Sequence, residues 1–418
     1  MAKRFISLYY GSIGKRRALQ ALGAWVASCF IPAASSREAL ANAVRAQLGD
    51  GAVFALGSGR AALAACMKSA GLGAGDEVLL SSYTCLAVPT AVIAAGAKPV
   101  YADIDADTLN VDANVLSTAF SPRVRAIIVQ HTLGKMAPVQ AILGEARKRG
   151  VLVIEDCALA AGSSVAGQSA GTFGDAAVFS MELSKTLSCG WGGILLVRDR
   201  KLADEVERFY AALPEPGALS AARDLWQTAI SAWCYQPSLY EWAGKYVLYF
   251  GFKCGLFRRS TPEPEFEGHV GPGFMKKMGG PQARLAMLQW RDFGMVAKAC
   301  ADHGRRLREL LKELRFPLPG APGPGEISVA PRVSFLVRDR QAAQAYFMHR
   351  GIELGEWFDG PVSPVPQSPL FNYEPGRYPN AERIARSVVN LPCHSRITEA
   401  DLSRMANLLR EFVELRAA

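Results

Sequence analysis

Between residues 50 and 200 short apolar runs alternate with helix-like segments along the chain. The runs that read as strands are "EVLLSSY" (77–83), "KPVYADI" (98–104), "RAIIVQHT" (125–132), "VLVIEDCA" (151–158), "AVFSMEL" (177–183) and "GILLVRD" (193–199). Several are apolar throughout, the pattern of strands covered on both faces. Between the first four lie segments such as "CLAVPTAVIAAG" (85–96) and "APVQAILGEARKRG" (137–150), the latter closing on basic residues and a glycine as helix ends do. Strand and helix in alternation predict an α/β domain with a largely parallel sheet. In such sheets ligands bind at the carboxyl ends of the strands, where the polar residues of this region fall.

The pattern changes on either side. "GKRRALQALGAWVASCFIPAASS" carries a basic lead, an uncharged run and small residues. It reads either as a secretory signal or as a buried amphipathic helix leading into the helix "SREALANAVRAQLG", with Ser36 as N-cap. Residues 212–272 are rich in Trp, Tyr and Phe and end in a loop, "STPEPEFEGHVGPG". A long helical segment, 281–315, and the linker "FPLPGAPGPGE" lead to a small α+β region. The expected division is a large domain over 1–275, with 212–272 as an aromatic insertion, and a connecting helix with a small C-terminal domain over 276–418.

Composition narrows this only a little. Half of the 418 residues are apolar, so the chain folds around a substantial core. The formal charge of +9 permits acidic partners, but no basic stripe interleaved with aromatics points to nucleic acid. Nine scattered cysteines without a C-x-x-C pair favour neither a zinc site nor a disulfide framework, and suit a reducing cytoplasm.

Four features carry chemistry. "LGSGRAAL" (56–63) is a glycine-rich turn after the strand-like "AVFAL", opening a helix near Arg60. Backbone N–H groups at such a turn bind phosphate, glycine lets them come close, and a guanidinium clamps phosphate oxygens; a plain tight turn is the alternative. In "VIEDCA" (153–158) an acidic pair ends a buried strand. Asp156 there could serve a metal, a general base role, a protonated ring nitrogen or a structural salt bridge. Lys185 stands in a polar turn five residues after Ser180, where a lysine can be a Schiff-base former or a solvated cation. "GWGG" (190–193) offers glycines for close packing around such a group.

These stretches, in order, resemble the DegT/DnrJ/EryC1/StrS sugar aminotransferases: "GSGRAAL", "GAGDEVLLSSYT", "AAGAKPVYADIDADTLNVD", "VIEDCALAAG", "GTFGDAAVFSMELSKTLSCGWGG" and "YPNAERIARSVVNLPCHSRIT". The resemblance implies a fold-type I enzyme dependent on pyridoxal 5'-phosphate (PLP), working as a homodimer with its active sites between two subunits. It places the N-terminal uncharged run inside the family's first helix. By the same resemblance Lys185 holds the cofactor as a Schiff base, and Asp156 pairs with the pyridine nitrogen. Ser180, Gly59 and Arg60 contact the phosphate, and Tyr83 and Thr84 flank the ring. The expected reaction moves an amino group, with glutamate as donor, onto a keto group of a nucleotide-linked sugar, for a surface polysaccharide or a glycosylated metabolite. The rivals are a PLP enzyme acting on a non-sugar or lipid-associated ketone, and a non-catalytic scaffold or regulator.

The departures from the family pattern are as informative. Arg60 replaces threonine, Leu159 the Gln or His near the ring hydroxyl, and Cys85 the stacking aromatic. Trp191 stands for glutamate in Gly-Glu-Gly-Gly. In "GFMKKM", Met275 replaces the asparagine that reaches the neighbouring subunit's phosphate, and Lys277 replaces arginine. Arg60 is expected to supply the phosphate charge that Met275 no longer supports. The insertion reads as extra core or dimer interface, or as a membrane-surface element over 222–260 that would hold a cytoplasmic enzyme at the inner membrane face. Its aromatic body and basic edge fit an interface, and its interrupting charges exclude a spanning helix.

Overall fold

The computed structural model describes residues 4–9, 14–111, 113–271 and 273–417. Seven strands form the central sheet: β1 (Ala52–Leu56), β2 (Glu77–Ser81), β3 (Lys98–Ala102), β4 (Val124–Gln130), β5 (Leu152–Asp156), β6 (Ala176–Ser180) and β7 (Gly193–Val197). Their spatial order is β1-β7-β6-β5-β4-β2-β3. All neighbours are parallel except β7, which runs antiparallel to both β6 and β1.

Each expected strand is present, and all six stop short of the carboxyl ends of their runs, in a polar or turning tail. Tyr83, His131 and Ala158 lie beyond β2, β4 and β5 because the ladder ends there and the chain turns across the sheet edge. Register brings the ends together: Gln130 opposes Asp156, Asp156 opposes Val178, Ser180 opposes Gly193, and Gly193 opposes Leu56. One edge of the sheet therefore carries Gln130, Asp156 and Ser180 side by side.

Helices α1 (Lys15–Ala27), α2 (Ala33–Leu48) and α3 (Gly59–Ser69) flank β1. Helix α2 starts earlier than the Ser36 cap implied. Pro32 sets the entry, and Ser36 lies buried in the first turn, its N–H donating to the Pro32 carbonyl (3.2 Å). The insertion folds as α4 (Ala218–Cys234) and α5 (Lys245–Lys253), followed by a short turn at Glu263–Glu267. The expected single helix over 281–315 is two, α6 (Gly280–Arg291) and α7 (Phe293–Glu313), broken at Asp292. A separate core lies beyond them. Val333 and Phe335 of β8 (Arg332–Leu336) and Val389 and Leu391 of β9 (Val388–Pro392) pack with Leu307 of α7 and Met405 of the last helix, α8 (Glu399–Ala417). No helix among the described residues is long and apolar enough to cross a membrane.

Candidate active site

At the carboxyl edge of the sheet opens a cavity of about 190 Å³. Gly59, Arg60, Cys85, Asp156, Leu159, Ser180 and Lys185, singled out from the sequence, all line it, as does Trp191. Tyr83 and Thr84 stand behind it instead. Tyr83 is wholly buried, and its hydroxyl accepts from the Phe358 N–H (2.8 Å), so it sets a lining residue and not the lining itself. Thr84 donates its hydroxyl to Gln130 Oε1 (2.6 Å). Met275 packs against the large-domain core and is not among the residues around the cavity.

The floor is built from strand ends. Asp156 is the last residue of β5 and is buried, accepting the Ala158 N–H at Oδ1 (2.9 Å). Among the described residues no cation lies within salt-bridge distance of it. Burial raises its pKa, and the Ala158 N–H, Lys185 and His131 offset part of that. A buried carboxylate of this kind calls for a positive partner. Lys185 sits in the turn after β6. Its N–H donates to the Glu182 carbonyl (3.1 Å), and Ser184 caps the Glu182 carboxylate through its N–H (2.9 Å) and hydroxyl (2.6 Å). Lys185 Nζ lies 4.9 Å from the centre of the Trp357 ring, and among the described residues it makes no hydrogen bond or ion pair. The amine is therefore held in place by its turn and left free to react.

His131, which lines the cavity, clusters tightly with the buried Glu155 and Cys157, their ligand atoms within 4.8 Å of one another. The His131 and Glu155 groups are already committed. The Glu155 carboxylate takes N–H donors from Gly171 (2.9 Å), Phe173 (2.7 Å) and Gly174 (2.8 Å) besides His131 Nε2 (2.9 Å). Since His131 Nδ1 accepts from the Ala137 N–H (3.1 Å), the Nε2 hydrogen is the one that points at Glu155. This arrangement fixes the loop 171–174 and the end of β4, and leaves His131 no lone pair for a metal.

One end of the cavity is made for an anion. Helix α3 begins there, and its first N–H groups have no partners within the helix. Ser58 caps it, accepting the Ala61 N–H (3.1 Å). Two glycines make the corner: a Cβ on Gly193 would fall 2.3 Å from the Ser58 carbonyl carbon, and one on Gly59 would fall 3.3 Å from Ser180 Cβ. So β7, the α3 turn and Ser180 come together only because both positions lack a side chain.

The wall beside it was not foreseen. It comes from the end of the insertion, where Ser260 and Thr261 line the cavity. Arg60 is buried, donates to the Ser260 carbonyl and forms an ion pair with the equally buried Glu265. Burial pushes the Arg60 pKa down to about 10, which leaves it charged at neutral pH. Gln227 of α4 anchors this segment, the strap over 258–265, by two bonds, accepting the Arg258 N–H (2.8 Å) and donating to its carbonyl (2.9 Å). The Arg258 guanidinium lies 4.5 Å over the Trp191 ring. Beyond Glu265, the Phe266 carbonyl accepts the Gln367 N–H (2.9 Å). Trp357 and Phe358, from the C-terminal part, complete the cavity. They carry no motif and stand more than 170 residues from Lys185 in sequence, so only the fold reveals them.

Comparison with known proteins adds four findings. Residues 14–410 match the model of the DegT/DnrJ/EryC1/StrS aminotransferase family. A "Pleiotropic regulatory protein" of Geobacillus stearothermophilus is 26% identical over 359 residues, 85% of this chain and 83% of that protein. An L-glutamine:2-deoxy-scyllo-inosose aminotransferase of Streptomyces kanamyceticus is 40% identical, but over 154 residues, 37% of this chain and 36% of that enzyme. Among solved structures, S. venezuelae DesV in complex with a ketimine intermediate superposes with a TM-score of 0.75 at 22% identity, covering 99% of this chain and 98% of that one. That last likeness is one of fold.

Proposed function

The chain belongs to the DegT/DnrJ/EryC1/StrS aminotransferase family, and on that premise we propose that it moves an amino group from glutamate or its amide onto a keto group of a nucleotide-linked sugar. The family is dependent on PLP, and the residues present fit that cofactor. A buried carboxylate without a cation, a free lysine amine and a glycine-lined helix N-terminus share one cavity. Bound there, PLP supplies an electron sink for the carbon that loses or gains a proton.

The protein's own contribution is position and charge. Asp156 would hold the ring nitrogen in its protonated form, each group supplying the other's missing partner. Ser180, Gly59 and the α3 N-terminus would take the phosphate, with Arg60 beside them. Lys185 Nζ would hold the cofactor covalently and, once released, carry the proton between the two carbons. Trp357, Phe358 and Leu159 keep water from the reacting side. Where the family has a hydrogen-bonding Gln or His, Leu159 leaves the ring hydroxyl less constrained, at a cost of about 1 kcal/mol, and Cys85 leaves the ring face without its stacking aromatic.

The observation that carries this reading is Lys185 and Asp156 facing the same cavity, neither of them in an ion pair among the described residues. Its test is the visible absorption of the purified protein with PLP, followed by glutamate or glutamine. A cofactor band that the donor bleaches, and that Lys185→Ala lacks, is the expected result. No band at all would sink the reading and favour a regulatory role.

We further read the protein as a cytoplasmic homodimer, supported by nine cysteines free of disulfides and the family resemblance. The aromatic insertion supports a peripheral contact with the inner membrane face.

A further inference from the structure

Surface helices normally turn their larger apolar residues inward. Helix α1 does the reverse. Its buried residues are Ala18, Ala21 and Ala24, while Leu19, Leu22, Trp25 and Val26 face outward. The insertion repeats the inversion. Helix α5 buries Leu248 and Gly251, whereas Trp242 just before it and Tyr246, Tyr249 and Phe250 are exposed at the spacing of one helix face.

These surfaces are joined. The Trp25 and Trp226 rings lie 6.3 Å apart, and Lys15 Nζ lies 5.4 Å from the Trp233 ring, so α1 and α4 pack side by side in opposite directions. Among the described residues, 14 of the 19 exposed large apolar side chains fall in the two stretches 19–30 and 219–256. Such a concentration marks an interaction surface.

Charge identifies the occupant. Over 15–30 and 219–259 the sequence has eight basic residues and two acidic ones, Asp224 and Glu241. Asp224 is buried, and Glu241 is bound by Lys245 (2.8 Å). Lys245 and Lys253 also lie over Tyr246 (5.4 Å) and Tyr249 (5.6 Å). A second copy seated on this face would set basic rim against basic rim, because a two-fold interface pairs a surface with itself. An anionic bilayer offers the opposite charge and suits Trp and Tyr at headgroup depth.

We propose that α1, α4 and α5 form one platform that seats on an anionic lipid surface, aromatic rings in the headgroup region and Lys15, Arg16, Lys253 and Arg259 over the lipid charges. This deepens the peripheral-membrane reading of the insertion, on which it rests, by making the N-terminal helix half of the contact. It also puts the active site close to the bilayer, since the strap that carries Ser260 and Glu265 begins where the platform ends.

The test is flotation of the full chain with vesicles of phosphatidylcholine alone or mixed with phosphatidylglycerol. The protein should float with the anionic vesicles and stay down with the neutral ones. Leu22→Asp/Val26→Asp on α1 and Trp242→Ser/Tyr246→Ser at α5 should each reduce the floated fraction about tenfold. Lys253→Glu should reduce it about fivefold or more. All are surface positions, and an unchanged melting temperature and cofactor band would show that fold and active site are intact. Loss with the α5 pair but none with the α1 pair would overturn the platform and leave the insertion reading standing. Wild type that stays down with both vesicles overturns both, and a concentration-dependent dimer blocked by the same substitutions would give the face to a second copy.

Discussion

The two walls of the cavity were made in different ways. The floor, with Asp156, Ser180 and Lys185, is an outcome of sheet register: the six strands that run the same way end at one edge, and the last residues or following turns of β5 and β6 meet there. The strap, with Arg258, Ser260 and Glu265, comes from outside the sheet and is held by side-chain bonds to Gln227 and Arg60. A wall set by backbone ladders tolerates little change in position. A wall set by a few polar contacts can be shifted or detached, and substitutions should tell the two apart by what they damage.

The largest effect belongs to the floor. Lys185→Ala should lower amino transfer about 10⁴-fold, as removal of a general base and covalent anchor together would, with the melting temperature of the apoprotein unchanged. Near-normal turnover in this variant would remove the floor's special status. Asp156→Asn should follow, with a large fall in turnover and an opposite effect on stability. Burial raises the folded pKa of Asp156 above its unfolded value. The folded state therefore holds the proton more tightly, and the carboxylate costs stability once pH rises through the ordinary aspartate range. The Asn variant of the apoprotein should melt higher than wild type at neutral pH, the gap closing as pH falls and Asp156 takes its proton. A gap independent of pH between 3 and 8, measured by calorimetry, would show that Asp156 is not the buried charge described.

Much of the floor was legible in the sequence because it is written locally. "VIEDCA" puts Asp156 at a strand end, and Ser180 and Lys185 are five residues apart, so a strand followed by a turn delivers both. The strap was not legible, since Arg60 and Glu265 stand 205 residues apart, and nothing in "EPEFE" distinguishes Glu265 from its neighbours. The N-terminal helix shows the limit from another side. It is a helix as its resemblance implied, but its expected burial reaches only the alanine face. An apolar stripe in sequence says that a face seeks cover, not that the same chain provides it.

Arg60 belongs to both walls, and its substitution sharpens the comparison most directly. If the guanidinium contributes to phosphate binding in place of the missing Met275 contact, Arg60→Thr should weaken PLP affinity. A charge-assisted hydrogen bond is worth about 1.5–3 kcal/mol, or roughly 10- to 100-fold. Because the single variant strands the Glu265 carboxylate, the comparison should be repeated as Arg60→Thr/Glu265→Gln. Unchanged cofactor affinity in the double variant would assign Arg60 to the strap alone.

The smallest effect is the most discriminating. In the structure Glu265 already neutralises Arg60, so a phosphate arriving at the α3 turn has to share a guanidinium with a carboxylate. Glu265→Gln keeps the shape of the strap while removing that competitor. Inorganic phosphate and PLP should then bind a few-fold to about tenfold more tightly, the scale of one weakened charge pair. The Gln227→Ala variant, which cuts the strap's anchor on α4 without touching Arg60, should leave phosphate affinity nearly unchanged and instead raise protease cleavage within 255–265. Tighter binding in the first variant and faster cleavage in the second would make the strap a detachable wall whose carboxylate tunes the anion site. Weaker binding in both would mean that Glu265 holds Arg60 in its binding position, and that the insertion is as fixed a part of the site as the strand ends.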